Sequence, residues 1–194
     1  VECGYKSAQD GKTVDGNPLI VAGKTFERGV GSHSPGRLVV RLPETGSVRF
    51  ITEVGIADET NGQGHMEFLA FADGQLVWRS GFMKGKEAAK VCELDLTGKS
   101  TLLLELETGT EGYAHDHAVY GDARFEVSAE GADDLAIVRP LFVGADGKIY
   151  DETADPQTLE AAREFLSLTQ QIAAGPTSDY VAKDARDPAS TILK

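Results

Sequence analysis

The stretch HMEFLAFADGQLVWRSG, residues 65–81, does most to limit what this chain can fold into. Met66, Phe68 and Ala70 recur every second residue, so they share one face of an extended strand. Asp73-Gly74 then supplies the positive φ that a two-residue hairpin turn needs, and a second apolar run follows at once. The same grammar recurs in RLVVRL (37–42), SVRFITEVGI (47–56), KVCELDL (90–96), STLLLELE (100–107) and ARFEVS (123–128), with a second tight turn at LTGKS (96–100). In KVCELDL, Cys92, Leu94 and Leu96 oppose Val91, Glu93 and Asp95. Many short strands with turns at close spacing build a β-sandwich or barrel. No convincing amphipathic helix precedes residue 150, so the first two-thirds of the chain is expected to be all-β.

The pattern changes after AEGADD (129–134), which divides a domain at 1–128 from an extension at 129–194. LAIVRPLFVGADGKIYD (135–151) reads as a hairpin with Asp146-Gly147 at its tip, and Pro140 confines its first strand to an edge. A helix is expected over 156–174. Asp155 caps it, Pro156 takes its first position, and Gly175-Pro176 ends it. Ala161, Phe165, Leu168 and Ile172 make its apolar stripe. The remaining residues have little periodicity and read as a linker or tail.

The net charge of −12 and a pI near 4.7 exclude a nucleic-acid binder, whose phosphate contacts need clustered Lys and Arg. They equally disfavour an anionic membrane surface. No segment approaches the roughly 20 apolar residues of a membrane span, so no membrane insertion is expected. VECGYKS reads as the start of a mature domain, without the basic and apolar regions of a signal peptide. Two cysteines, Cys3 and Cys92, form no CxxC pair. They are expected to be two buried thiols, with a disulfide as the lesser alternative.

The polar residues concentrate in two places. GYAHDHAVYGDARF (112–125) carries Tyr113, His115, Asp116, His117, Tyr120 and Asp122. GIADETNGQGH (55–65) carries Asp58, Glu59, Asn61 and His65. His115 and His117 share a face if extended and could reach one zinc ion with His33 or His65, which gives a metal-dependent enzyme as one reading. A glycosidase needs two carboxylates across a bond, and sequence alone does not pair them. GVGSHSPG (29–36) lacks a dinucleotide fingerprint and reads as a loop. Planar polar side chains and aromatic rings are also the groups that hold sugars, and loop acids with carbonyls suit calcium. Trp78 reads as core.

PLIVAGKTFERGVGSHSPGRLVVRL, GSVRFITEVGIADET, HMEFLAFADGQLVWRSGFMKG and DHAVYGDARF together resemble the NPCBM family, the family 51 carbohydrate-binding modules or NPCBM/NEW2 domain, over about residues 13–127. The resemblance implies a galactose-binding-like jelly-roll β-sandwich. It implies a non-catalytic module for galactose-containing glycans, joined to further domains of a secreted bacterial glycosidase or surface protein, and hence an extracellular, periplasmic or cell-surface location. His33 takes the family's histidine, structural or ligand-facing. Asp58 and Glu59 take its acidic loop, Asp116-His117-Ala118 its Asp-His-Ala, and Asp122-Ala123 its closing pair. Tyr120 stands where the family usually has Trp, and Val119 where it usually has an acid. Ala57 is inserted before the acidic loop, which alters that loop's shape.

The expectation is therefore an apical loop around HDHAVYGDA. In it Asp58, His115, Asp116 and His117 meet sugar hydroxyls, and Tyr113 or Tyr120 covers a sugar face. A structural calcium is implied, with Asp58, Glu59 and Asp122 as its ligands. A buried His33–Asp116 pair pinning two loops is the structural alternative. A scaffold domain without sugar binding is the competing function, with a protein partner on the 156–174 helix.

Overall fold

The computed structural model describes residues 2–128, 135–138, 140–143 and 149–151. In chain order the strands are β1 (Glu2–Cys3), β2 (Gln9–Asp10), β3 (Leu19–Val21), β4 (Lys24–Phe26), β5 (Gly29–His33), β6 (Gly36–Arg41), β7 (Val48–Ile56) and β8 (His65–Ala72). They continue with β9 (Gln75–Arg79), β10 (Met83–Lys84), β11 (Lys90–Asp95), β12 (Thr101–Thr108), β13 (His117–Val127), β14 (Ala136–Val138), β15 (Pro140–Val143) and β16 (Ile149–Asp151). One sheet runs β1-β6-β12-β8-β10, with β9 also on β8 and β14 on β6. The other runs β11-β7-β13-β5-β2. Successive long strands alternate between the sheets: β5, β7, β11 and β13 lie in one, and β6, β8 and β12 in the other. This is the wiring of a jelly-roll sandwich, as expected.

Alternation decides which side chains enter the core. β11 has the pattern that its sequence dictates, with Cys92 and Leu94 buried and Val91 exposed. Met66, Phe68 and Ala70 of β8 pack in one buried core with Val54, Ile56 and Leu94. The expected turn at Asp73-Gly74 forms, both residues having positive φ (46° and 74°), and Ala72 pairs with Gln75. The turn at 96–100 instead carries the chain from one sheet to the other, because β11 pairs with β7 and β12 with β6 and β8. Glu67 points away from the main core, yet its side chain has no exposed surface. Arg79 covers it with two 2.6 Å hydrogen bonds.

A second, smaller core lies on the outer face of the β5–β13–β7 sheet. The β3–β4 hairpin covers that face, and its Leu19, Val21 and Phe26 pack with Ala57 and Val119. Gly55 makes the approach feasible, since a Cβ there would meet Val21 Cγ1 at 2.4 Å. This covering explains two departures from expectation. GVGSHSPG is not a loop: Gly29–His33 is strand β5. HDHAVYGDA is only in part a loop, because β13 begins at His117. With both faces buried, Ala118, Val119 and Tyr120 show no polar alternation, so the sequence hides the strand.

The chain divides into two compact units after Ile137. Leu135 packs on the sandwich core. In the second unit, β15 and β16 form the expected antiparallel hairpin, with Phe142 opposite Tyr150 and Val143 opposite Ile149. Pro140 stands at its first position, where a missing N–H is tolerated. The Asp146-Gly147 tip and the helix over 156–174 lie outside the described residues.

Candidate functional site

Two histidines from distant parts of the chain meet on adjacent strands. His117, the first residue of β13, lies opposite His33, the last of β5. Their ring centroids are 5.3 Å apart. His117 shares the outer face of its strand with Val119, so the pair sits at the end of the small core beneath the β3–β4 hairpin. Tyr5 packs against both rings, near-parallel to His117 with centroids 6.5 Å apart and tilted on His33 at 5.5 Å. Tyr113 meets His33 edge-on at 6.3 Å. Tyr5 and Tyr113 are 45% and 60% exposed, whereas His33 and His117 are buried. Two open aromatic rings thus flank an imidazole floor.

The tautomers follow from the partners. His33 Nδ1 lies 2.5 Å from the Ser34 carbonyl oxygen, which only accepts, so Nδ1 carries the proton. His117 Nδ1 likewise donates to Glu59 Oε1 at 2.5 Å. In the neutral rings both Nε2 atoms remain as acceptors. Burial holds the His33 pKa below its usual value, opposed by the Ser34 contact, so His33 is the neutral form at pH 7.

Glu59 is fixed from its other side. Its Oε2 accepts from Thr13 Oγ1 at 2.8 Å and Asn17 Nδ2 at 2.6 Å. The turn at 13–17 that supplies both donors is closed by Gly16 N–H to the Thr13 carbonyl. It reaches the site because β5 carries Gly31, where a Cβ would strike the Lys12 carbonyl oxygen at 2.2 Å. The same turn carries Asp15, which accepts from Lys6 Nζ at 2.5 Å. That hydrogen bond holds the Asp15 carboxyl below its usual pKa and the Lys6 ammonium above its own.

The sequence-predicted residues divide sharply. His117, Tyr113, His33 and Glu59 come together. Asp116 does not join them. It has no exposed surface, and it accepts from Ser34 Oγ and His65 N–H, both at 2.8 Å. The pin between the two loops is thus Ser34–Asp116, tightened by Thr108 Oγ1 on Ser34, in place of the expected His33–Asp116 pair. Burial raises the Asp116 pKa, against the pull of those two donors. Tyr120 is a core residue, edge-to-face on Phe68 at 5.4 Å, because it is an odd-numbered step from His117 and so points inward. Asp58 spends both oxygens on the β3–β4 turn, accepting from Ala22 N–H at 2.8 Å and Gly23 N–H at 2.7 Å. His115 adopts φ 68° in the loop, and no described side-chain contact ties it to the cluster.

The ligand set named for calcium does not fit. Asp58 is consumed by the hairpin turn. Asp122 sits at the β13 bulge beside Arg28, five residues and about 16 Å along the strand from His117. Zinc around His115 and His117 finds no support either, since only His117 belongs to the cluster. Both cysteines are free thiols, with Cys92 buried and Cys3 partly so. Cys3 Sγ contacts the Tyr5 carbonyl and Ser32 Oγ.

Sequence reasoning missed Tyr5, Thr13, Asp15 and Asn17. They stand from 28 (Tyr5 to His33) to 112 (Tyr5 to His117) residues from their partners in the cluster, and only the glycine pair of GVG hinted at a close crossing.

The chain is 27% identical over 115 residues to alpha-1,3-galactosidase B of Akkermansia muciniphila, a match that covers 58% of this chain and 14% of that protein. It is similar to the CBM51 module of Clostridium perfringens GH95, solved with methyl-galactose, at TM-score 0.59 and 27% identity over 65% of this chain and 90% of the module. It also shares the fold of CBM51-2 with the INT domains of Clostridium perfringens ZmpB, solved with GlcNAc, at TM-score 0.58 and 20% identity over 98% of this chain and 40% of the other. The sequence model of the NPCBM/NEW2 domain matches residues 1–126, which include the cluster, and the chain belongs to that family.

Proposed function

We propose that the chain is a non-catalytic carbohydrate-binding module that holds a galactose-type sugar against His33 and His117. The observation that carries this reading is the cluster itself: two imidazoles with free Nε2 atoms, an anchored carboxylate, and exposed tyrosines on either side. Hydroxyls donate to the imidazole nitrogens, and the aromatic rings cover the apolar C–H faces of a pyranose. Support comes from a related module that was solved with methyl-galactose and a relative named as a galactosidase. Because the chain spans 14% of that relative, we read it as a targeting part of a larger glycan-active protein at or outside the cell surface. Among the described residues no helix is long and apolar enough to cross a membrane. Binding of a single sugar should be weak, because few atoms are engaged.

The test is a glycan array with the wild-type chain and His117→Ala. Galactose-terminated hits that His117→Ala loses, at unchanged circular dichroism, support the reading. Hits that survive His117→Ala move the site elsewhere, and a blank array with folded protein rejects sugar recognition.

A further inference from the structure

We propose that Asp15, Glu59 and His117 form a binding site for one divalent ion of the zinc class at the edge of the imidazole floor. Each offers one ligand atom, and these atoms lie within 4.8 Å of one another. Zinc with bonds of about 2.0–2.2 Å sets tetrahedral donors roughly 3.3–3.6 Å apart, so the widest spacing must close by about 1 Å, while the 2.5 Å contact of His117 Nδ1 with Glu59 Oε1 must open by about as much and release its shared proton to solvent. Asp15 is the member free to do so. It sits in an exposed turn, and its described side-chain partner is Lys6, in an ion pair whose side chains are 48% and 36% exposed. Such pairs are weak and exchange readily. Glu59 and His117 are already held, and Thr13 and Asn17 grip Glu59 from the two ends of the turn that carries Asp15. The turn therefore presents its carboxylate toward the one beneath it.

The donor set selects the ion. One imidazole nitrogen and two carboxylates suit zinc, copper or nickel, while calcium asks for six to eight oxygens. Three protein ligands leave a position open to water. Lys6 is a cation already attracted to this spot and must be displaced. The site shares Glu59 and His117 with the sugar reading, so a bound ion competes with sugar, yet the proposal stands without that reading.

Titration calorimetry of the full chain with zinc chloride, without sugar, tests it, with calcium chloride as the contrast. The expected result is one zinc per chain, weakened about tenfold or more in Asp15→Asn and in His117→Ala and tightened severalfold in Lys6→Ala. Asp15→Asn lies in an exposed turn, so it reports even if His117→Ala disturbs the fold. No saturable zinc binding, an Asp15→Asn affinity equal to wild type, or equal affinity for calcium overturns the proposal. A separate galactoside titration in chelator tests sugar recognition, so either idea can fail without the other.

Discussion

Replacing Asp116 by alanine should unfold the end of the sandwich that carries the site without touching a ligand contact. The carboxylate is fully buried and accepts from Ser34 Oγ and His65 N–H, both at 2.8 Å. Asp116→Ala leaves the His65 N–H unpaired and takes from the Ser34 hydroxyl its charged partner, with only Thr108 Oγ1 remaining, at about 1–3 kcal/mol for each bond. The raised Asp116 pKa shows that burial already penalises the ion, so its removal returns part of that cost. The net loss should be about 2–4 kcal/mol, or roughly 10 °C in Tm for a domain of this size. Asp116→Asn, whose amide keeps an acceptor, should lose about half as much. Urea melts followed by far-UV circular dichroism measure both, with an unchanged m-value as the control. A stability loss under about 1 kcal/mol in Asp116→Ala, combined with lost galactoside binding, would refute the reasoning and return Asp116 to the ligand face.

Tyr120→Ala empties a core position against Phe68 and should cost about 3–5 kcal/mol in the same melts, whereas a role on the sugar face predicts lost binding at near wild-type stability. Burial pushes the Cys92 thiol up to about 12, so native protein at pH 8 should take one alkyl label, at Cys3, and denatured protein two, read by mass spectrometry. Arg79→Ala should lower Tm well beyond Arg49→Ala, because Arg79 covers a fully buried Glu67, while the partners of Arg49, Glu93 and Glu126, are exposed. Equal effects in thermal scans would contradict that ranking.

The strands were legible wherever one face meets water. β11 buries Cys92 and Leu94 and exposes Val91, as its alternation marks, and β9 follows β8 across the turn that Asp73-Gly74 requires. Legibility failed where both faces are covered, as in β5 and the start of β13. There the polar residues His33, Asp116 and His117 read as a motif on a loop. The motif itself concealed a division of labour. Along β13 the odd-numbered His117 and Val119 face outward and the even-numbered Ala118 and Tyr120 inward, so neighbouring letters serve the site and the core by turns. Asp58 and Glu59 divide likewise, one capping a hairpin and the other entering the site. Tyr5 and Asp15 were out of reach because no local pattern ties them to a strand more than a hundred residues away.

The most direct test of the central claim is a titration of the isotope-labelled chain with methyl-galactoside, followed by NMR. The account predicts saturable shifts centred on Tyr5, His33, Glu59, Tyr113 and His117, with Asp116, Tyr120 and Asp122 moving little. Shifts centred on another surface, or none at millimolar sugar, would contradict it.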